Sequence, residues 1–174
     1  ILIAQGGGPT NVINQSLVGI IRQEKKYKSK ILGSINGVNG IINNRFISLN
    51  KISENDLKTI ANTPGAALGS TRDKPDKKYC KEILKILENK QISKFYYIGG
   101  NDSSDSLRII SEYAKDTKYK LQCIHIPKTI DNDLVCNDHT PGFGSAAKYV
   151  AQLFSGINYD VKSLPGVYLG IVMG

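Results

Sequence analysis

Several functional classes are excluded by what this chain of 174 residues lacks. Its three cysteines, Cys80, Cys123 and Cys136, are an odd and widely spaced set with no CxxC pair to bind zinc or run thiol exchange, so reduced and inert thiols are expected. Aromatic residues make up only 7%, and none stud a basic stripe of the kind on which single-stranded nucleic acid stacks. The formal charge of +8 and the pI near 9.3 are therefore read as solvated surface. Lys25, Lys26, Lys28 and Lys30, and again Lys77, Lys78 and Lys81, sit beside acidic residues or on helix surfaces, so no nucleic-acid partner is expected. No apolar run approaches the roughly 20 residues of a membrane helix, and the start lacks a basic stretch followed by a hydrophobic one. No membrane partner and a cytoplasmic location follow as expectations. Neither phosphate-loop pattern, GxxxxGK(S/T) or GxGxxG, occurs, and there is no internal repeat, low-complexity tract or linker.

What is present suits one core-bearing domain, expected over residues 1–174, since 40% of the residues are hydrophobic. Both ends look cut, because Ile1 opens inside a strand-like run and Gly174 closes just after another, Val167 to Met173; a partner domain is expected to be missing. Short β-rich runs at Ile1 to Ala4, Lys30 to Ser34, Lys94 to Ile98, Leu121 to Ile126 and Val167 to Met173 alternate with helix-like segments. Apolar residues recur three and four apart at Asn11 to Gln23, Glu54 to Ala61, Asp76 to Asn89, Asp102 to Lys115 and Ser145 to Gly156, which predicts helices there. Tyr96, Tyr97 and Ile98, or Cys123, Ile124 and Ile126, barely alternate with polar residues, so these strands are expected to be buried on both faces. The expected fold class is α/β, a doubly wound, Rossmann-like, mostly parallel sheet whose ligands bind beyond the carboxyl ends of its strands.

Three polar turns fall at that edge. Gly6-Gly7-Gly8-Pro9-Thr10 follows the first strand and offers backbone N–H groups for close approach to a phosphate, although a tight strand-to-helix turn also accounts for it. Gly99-Gly100-Asn101-Asp102-Ser103 repeats the arrangement, with Asp102 or Ser103 placed to cap a helix. Pro127-Lys128-Thr129-Ile130-Asp131-Asn132-Asp133 gathers an ammonium, a hydroxyl and carboxylates. There Asp131 is placed to take a proton from an attacking hydroxyl, Asp133 to support the same centre or a metal, and Lys128 to neutralise phosphate charge. Gly69-Ser70-Thr71-Arg72 adds a guanidinium able to grip phosphate oxygens bidentately. His125 reads as a core residue, and His139, before Thr140-Pro141-Gly142, fits helix entry as well as catalysis. The grouping suits phosphoryl transfer.

In order along the chain, GGGPT, Gly37-Val38-Asn39-Gly40, the LGSTR loop ending at Arg72, GGNDS, PKTIDND and Asp138-His139-Thr140-Pro141-Gly142-Phe143-Gly144 resemble the phosphofructokinase family, and specifically its pyrophosphate-dependent branch. The resemblance implies a phosphofructokinase fold, of which this chain is the N-terminal, donor-binding part. It implies Asp131 as the base that deprotonates the C1 hydroxyl of fructose 6-phosphate, assisted by Thr129 and Asp133. It further implies Gly7 and Arg72 at the donor phosphates, and Thr129, Ile130, Asp131, Met173 and Gly174 at the sugar phosphate. Val172-Met173-Gly174 looks like the start of the family's Met-Gly-Arg segment. ATP-using members resemble this pattern but carry Gly where Asp102 stands and commonly Gly at Lys128; both side chains fill room a nucleotide needs, and Lys128 is placed to hold pyrophosphate. The family usually has a magnesium-linked Asp where Asn101 stands, so Mg2+ is the expected cofactor, with Asn101 and Asp102 as its candidate ligands. Fructose 6-phosphate and pyrophosphate are the expected partners, and a homo-oligomer the expected assembly. An ATP-dependent enzyme and, on account of Asn101, a noncatalytic subunit that binds sugar phosphates are the alternatives.

Overall fold

The computed structural model describes residues 1–172, with the side chain of Asn11 set aside. Met173 and Gly174, expected at the sugar phosphate, lie outside the described residues. The order of elements is β1 (Leu2–Gln5), α1 (Asn11–Lys26), β2 (Leu32–Ser34), α2 (Gly37–Ile42), β3 (Phe46–Ser48), α3 (Glu54–Asn62), α4 (Lys77–Asn89), β4 (Lys94–Gly99), α5 (Asn101–Asp116), β5 (Gln122–Pro127) and α6 (Phe143–Ser163). By its contacts the chain divides into two compact units, Ile1–Lys128 and Thr129–Gly174.

The first unit is built on a sheet of order β3-β2-β1-β4-β5, parallel throughout except for β3 against β2. Successive strand residues point to opposite faces. Leu2, Ala4, Phe95 and Tyr97 thus pack with the inner faces of α2, α4 and α5, while Ile3 and Ile98 pack with Ile13, Leu17 and Ile21 of α1 and Leu57 of α3. Helices on both faces complete the doubly wound arrangement. Phe95 and Tyr97 stack at 5.7 Å in the first cluster, both essentially inaccessible to solvent. At the end of the sheet away from the polar turns, buried Glu24 accepts hydrogen bonds from Ser29, Lys94 and Tyr96, which together outweigh the cost of burial and hold its carboxyl below the usual range.

Some elements differ from expectation. The antiparallel β3 and the six-residue α2 are too short to show a period, and turn residues frame them: Asn36, Gly37 and Asn44 all have positive φ. Helix α6 runs seven residues past Gly156, because a glycine inside a helix costs only about 1 kcal/mol. It stops where Leu164 turns extended ahead of Pro165, as the residue before a proline does. Residues 167–172 form no strand, because they add no hydrogen-bonded member to the five-stranded sheet. Strand β5 is half-exposed rather than buried on both faces, since it lies at the sheet edge with one strand neighbour. Among the described residues no helix is long and apolar enough to cross a membrane. All three thiols are free, and burial pushes Cys80 and Cys123 up to about 11.

Replacing Phe95 by alanine is expected to remove about 3–5 kcal/mol of stability by leaving a cavity against Tyr97. Denaturant unfolding of the variant and the parent protein measures it, and a loss below about 1 kcal/mol contradicts the packing described.

Candidate active site

Strand order reverses between β1 and β4, and each of these strands runs out into a glycine-rich turn. The Gly6 N–H donates to Ile98 O at 2.8 Å, carrying the pairing one residue past β1. A Cβ on Gly6 would lie 2.6 Å from the Tyr97 hydroxyl and 2.7 Å from Ser103 Oγ, so only glycine fits there. Gly7 is in the left-handed region (φ 75), and its Cβ would sit 3.5 Å from Lys128 Nζ. Its N–H donates to Thr71 O at 2.8 Å and its carbonyl accepts from Ser70 Oγ at 2.5 Å, which ties the first turn to the loop that carries Arg72. A Cβ on Gly8 would lie 3.6 Å from the Arg72 guanidinium.

The second turn differs from expectation in one detail. Gly100, not Asp102 or Ser103, occupies the N-cap of α5, so the helix starts one residue earlier, at Asn101. Ser103 is buried, and its hydroxyl bonds that of Tyr97, whose pKa burial pushes up to about 12. Asn101 and Asp102 thereby occupy the first helical turn, where unpaired N–H groups and the helix dipole favour an anion.

Gly7, Arg72, Asn101, Asp102 and Lys128, all singled out from sequence, line one cleft of about 410 Å³ in the first unit. Asp73 and Lys74 line it too, and sequence reasoning passed over both. Lys74 Nζ lies 3.1 Å from Asp102 Oδ2, with both side chains well exposed. Such a pair is worth at most about 1 kcal/mol, so its ammonium is cheaply released to a ligand. The available signal was a second basic residue two positions beyond Arg72. Asp73 Oδ2 accepts from Asn39 Nδ2 at 3.3 Å and from the Tyr79 hydroxyl at 3.2 Å. Burial first, and then the Asp73 charge, push the Tyr79 phenol up to about 12, so it stays a donor. Asn39, from the Gly37–Gly40 motif, thus braces the Arg72 loop from α2. Three cations against two carboxylates, at the N-terminus of α5, suit a small and highly charged anion; the Gly6 and Gly7 N–H groups, expected to face a phosphate, are instead spent on Ile98 O and Thr71 O.

The second unit holds Thr129, Ile130, Asp131 and Asp133. Thr129 Oγ1 accepts the Asp131 N–H at 3.0 Å. Asn132, at positive φ, donates to Asp138 O at 3.1 Å and accepts from the Thr140 N–H at 2.8 Å, fastening the turn to the Asp138–Gly144 motif. Ile130 and Asp131 border a hollow of about 440 Å³ whose other walls are mainly apolar, Phe143, Ala147 and Val150 of α6 among them. Asp133 is exposed on the same turn. His139 lies against Phe143 at 5.8 Å, which places it at the entry to α6.

His125 is half-buried, and its Nε2 lies 3.0 Å from Gly99 O, the same carbonyl that accepts the Lys128 N–H at 2.9 Å. Burial lowers its pKa below the ordinary 6.5, against the opposing pull of the Gly99 and Gly100 backbone. A lowered folded-state pKa means that the stability contributed by neutral His125 is complete above pH 6.5 and is lost as pH falls through the folded value. Melting temperature measured from pH 8 to pH 5 is therefore expected to fall more steeply in the parent protein than in His125→Gln; parallel curves would contradict it.

The phosphofructokinase family profile matches residues 1–174. The pyrophosphate–fructose 6-phosphate 1-phosphotransferase of Rhodospirillum rubrum is 57% identical over 176 residues, covering 100% of this chain and 44% of the relative. An ATP-dependent 6-phosphofructokinase of Mycobacterium bovis is more distant, 28% identical, over 99% of this chain and 49% of its own length. Among solved structures, the pyrophosphate-dependent phosphofructokinase of Marinobacter aquaeolei superposes with a TM-score of 0.82 at 36% identity, over 93% of this chain and 41% of that one. The chain spans less than half the length of these relatives. With a matching profile from end to end, the sheet order and the ordered turns accounted for, the chain belongs to the phosphofructokinase family.

Proposed function

We propose that the protein containing this chain moves a phosphoryl group from pyrophosphate to the C1 hydroxyl of fructose 6-phosphate, giving fructose 1,6-bisphosphate and phosphate. The observation that carries this reading is that Asp102 and Lys128 line the same cleft as Gly7 and Arg72. A carboxylate there repels and obstructs the α-phosphate of a nucleotide, while the ammonium suits a compact anion. The names of the similar proteins support the same donor.

In this mechanism the Asp131 carboxylate takes the proton from the C1 hydroxyl. The oxygen then attacks a donor phosphorus, the bridging P–O bond breaks, and phosphate leaves with the bonding pair. Arg72, Lys128 and Lys74 offset charge on the donor and the leaving phosphate, and the Gly7 backbone permits close approach. The Thr129 hydroxyl fixes the Asp131 backbone through the hydrogen bond described above. Ile130 supplies an apolar wall, Asp133 a second carboxylate on the turn, and Met173 and Gly174 are assigned to the sugar phosphate by sequence.

Magnesium fits this donor set in a limited way. Asn101 offers a neutral carbonyl oxygen and Asp102 one carboxylate, and among the described residues no group of three or more His, Cys, Asp or Glu side chains gathers. Mg2+ commonly keeps waters and is held by one or two carboxylates together with substrate phosphates, so Asn101 and Asp102 would hold it as an escort of the donor. When bound it would neutralise phosphate charge.

Aldolase-coupled turnover of the full-length protein with fructose 6-phosphate, Mg2+ and either pyrophosphate or ATP tests the reading. Pyrophosphate alone is expected to support turnover; ATP use without pyrophosphate use defeats the donor assignment. Sugar-phosphate binding by calorimetry with no turnover on any donor establishes the noncatalytic alternative instead. Asp131→Ser is expected to lower kcat by about a hundred- to ten-thousandfold with the melting temperature unchanged. Asp102→Gly combined with Lys128→Gly is expected to raise the rate with ATP relative to pyrophosphate, and an unchanged ratio refutes the role given to the two side chains.

A further inference from the structure

We propose that the buried Gln5–Asn14 amide pair is a positioning device for Arg72, clamping the 63–72 loop from inside the core so that the guanidinium is held at the donor cleft. The proposal deepens the function given above and rests on Arg72 as a donor-phosphate contact.

Gln5 ends β1 and Asn14 lies one turn into α1; their exposures are 0% and 2%. Every polar atom of the pair is used. Gln5 Nε2 donates to Ile13 O at 3.1 Å and to Asn14 Oδ1 at 3.2 Å, while Gln5 Oε1 accepts the Leu68 N–H at 3.0 Å. Asn14 Nδ2 donates to Thr63 O at 2.9 Å, and Asn14 Oδ1 accepts the Ala67 N–H at 2.8 Å. Three of these five bonds reach 49 to 63 residues along the chain, to one segment.

That segment has no helix or strand of its own between Thr63 and Arg72, so its backbone depends on outside partners. Beyond the amide pair, Asn36 N–H donates to Leu68 O at 2.8 Å, and the Leu68 side chain fills the space over Gly33. From Leu68 the loop passes Gly69, at φ 71, to the Ser70 and Thr71 bonds with Gly7, and Arg72 follows immediately. Two buried side-chain amides are an expensive way to fill a core unless their partners need them, because each bond in such a network, once broken, leaves a desolvated group behind. Here the partners are the backbone of the loop that delivers Arg72. The apolar cluster around Ile13 and Leu17 would hold α1 on the sheet without them.

The test uses the full-length enzyme with Asn14→Ala, Arg72→Ala, the double variant, and Gln5→Met, which keeps volume and removes the Leu68 acceptor should Asn14→Ala fold poorly. Asn14→Ala and Gln5→Met are expected to cost roughly ten- to hundredfold in kcat/KM for pyrophosphate, as misplacement of a contact group does, with KM for fructose 6-phosphate unchanged. In the double variant the Asn14 substitution is expected to cost little more than Arg72→Ala alone. Equal losses towards both substrates, additive losses in the double variant, or a fall in melting temperature alone would overturn the proposal. Amide hydrogen exchange gives a readout independent of turnover: Ala67 and Leu68 are expected to exchange faster in both variants while α1 keeps its protection. Unchanged exchange at those two amides overturns the clamp. An Arg72→Ala enzyme with normal pyrophosphate kinetics instead defeats the role assigned to Arg72 and leaves the clamp to stand or fall on exchange.

Discussion

The parallel pairing of β1 with β4 is the constraint on which the rest of the first unit depends. Leu2 to Gln5 run in register with Phe95 to Ile98, so the two strands end together and discharge two glycine turns side by side. Chain connections leave in opposite directions from this pair, towards β2 on one side and β5 on the other, and that divergence opens the cleft. The Gly6 to Ile98 bond extends the ladder into the turn, so the turn backbone is an outgrowth of the sheet and inherits its rigidity. Loops contribute the cations, but only after being moored to this frame through Gly7, Gln5 and Asn14.

Burial and charge are separated accordingly. The floor is neutral: Tyr97 and Ser103 bond each other beneath Gly6, and His125 supports Gly99. Charged side chains, Arg72, Lys74 and Asp102, stand at the exposed rim, where water and counterions screen them until a ligand displaces the water. This arrangement avoids the desolvation cost of a permanently buried cation cluster.

Much of this was legible in the residues. Five β-rich and five helical patterns were read, and four of those strands and all five helices occur, because each carries a period or a continuous apolar run long enough to count. Gly7, Asp102 and Lys128 line one cleft because a parallel sheet sends its strand ends to one edge, and Arg72 joins them from the loop after α3. What escaped was of two kinds. The elements α2 and β3 are shorter than any periodicity, and they exist through bonds between segments, such as Ile35 N–H to the Arg45 carbonyl and the pairing of Gly33 with Ile47. Lys74, Gln5 and Asn14 matter through partners 28, 63 and 49 residues away, and no local pattern reports a contact at that separation.

The absence of space around Gly6 and Gly99 bears on how such a cleft diversifies. A Cβ on either glycine would run into Ser103, so the floor admits no side chain and no intermediate size. Rim positions such as 102, which is exposed, are by contrast free to change side chain without rebuilding the sheet. Floor and rim thus answer to different demands, the floor to packing inside the sheet and the rim to whatever approaches it from solvent.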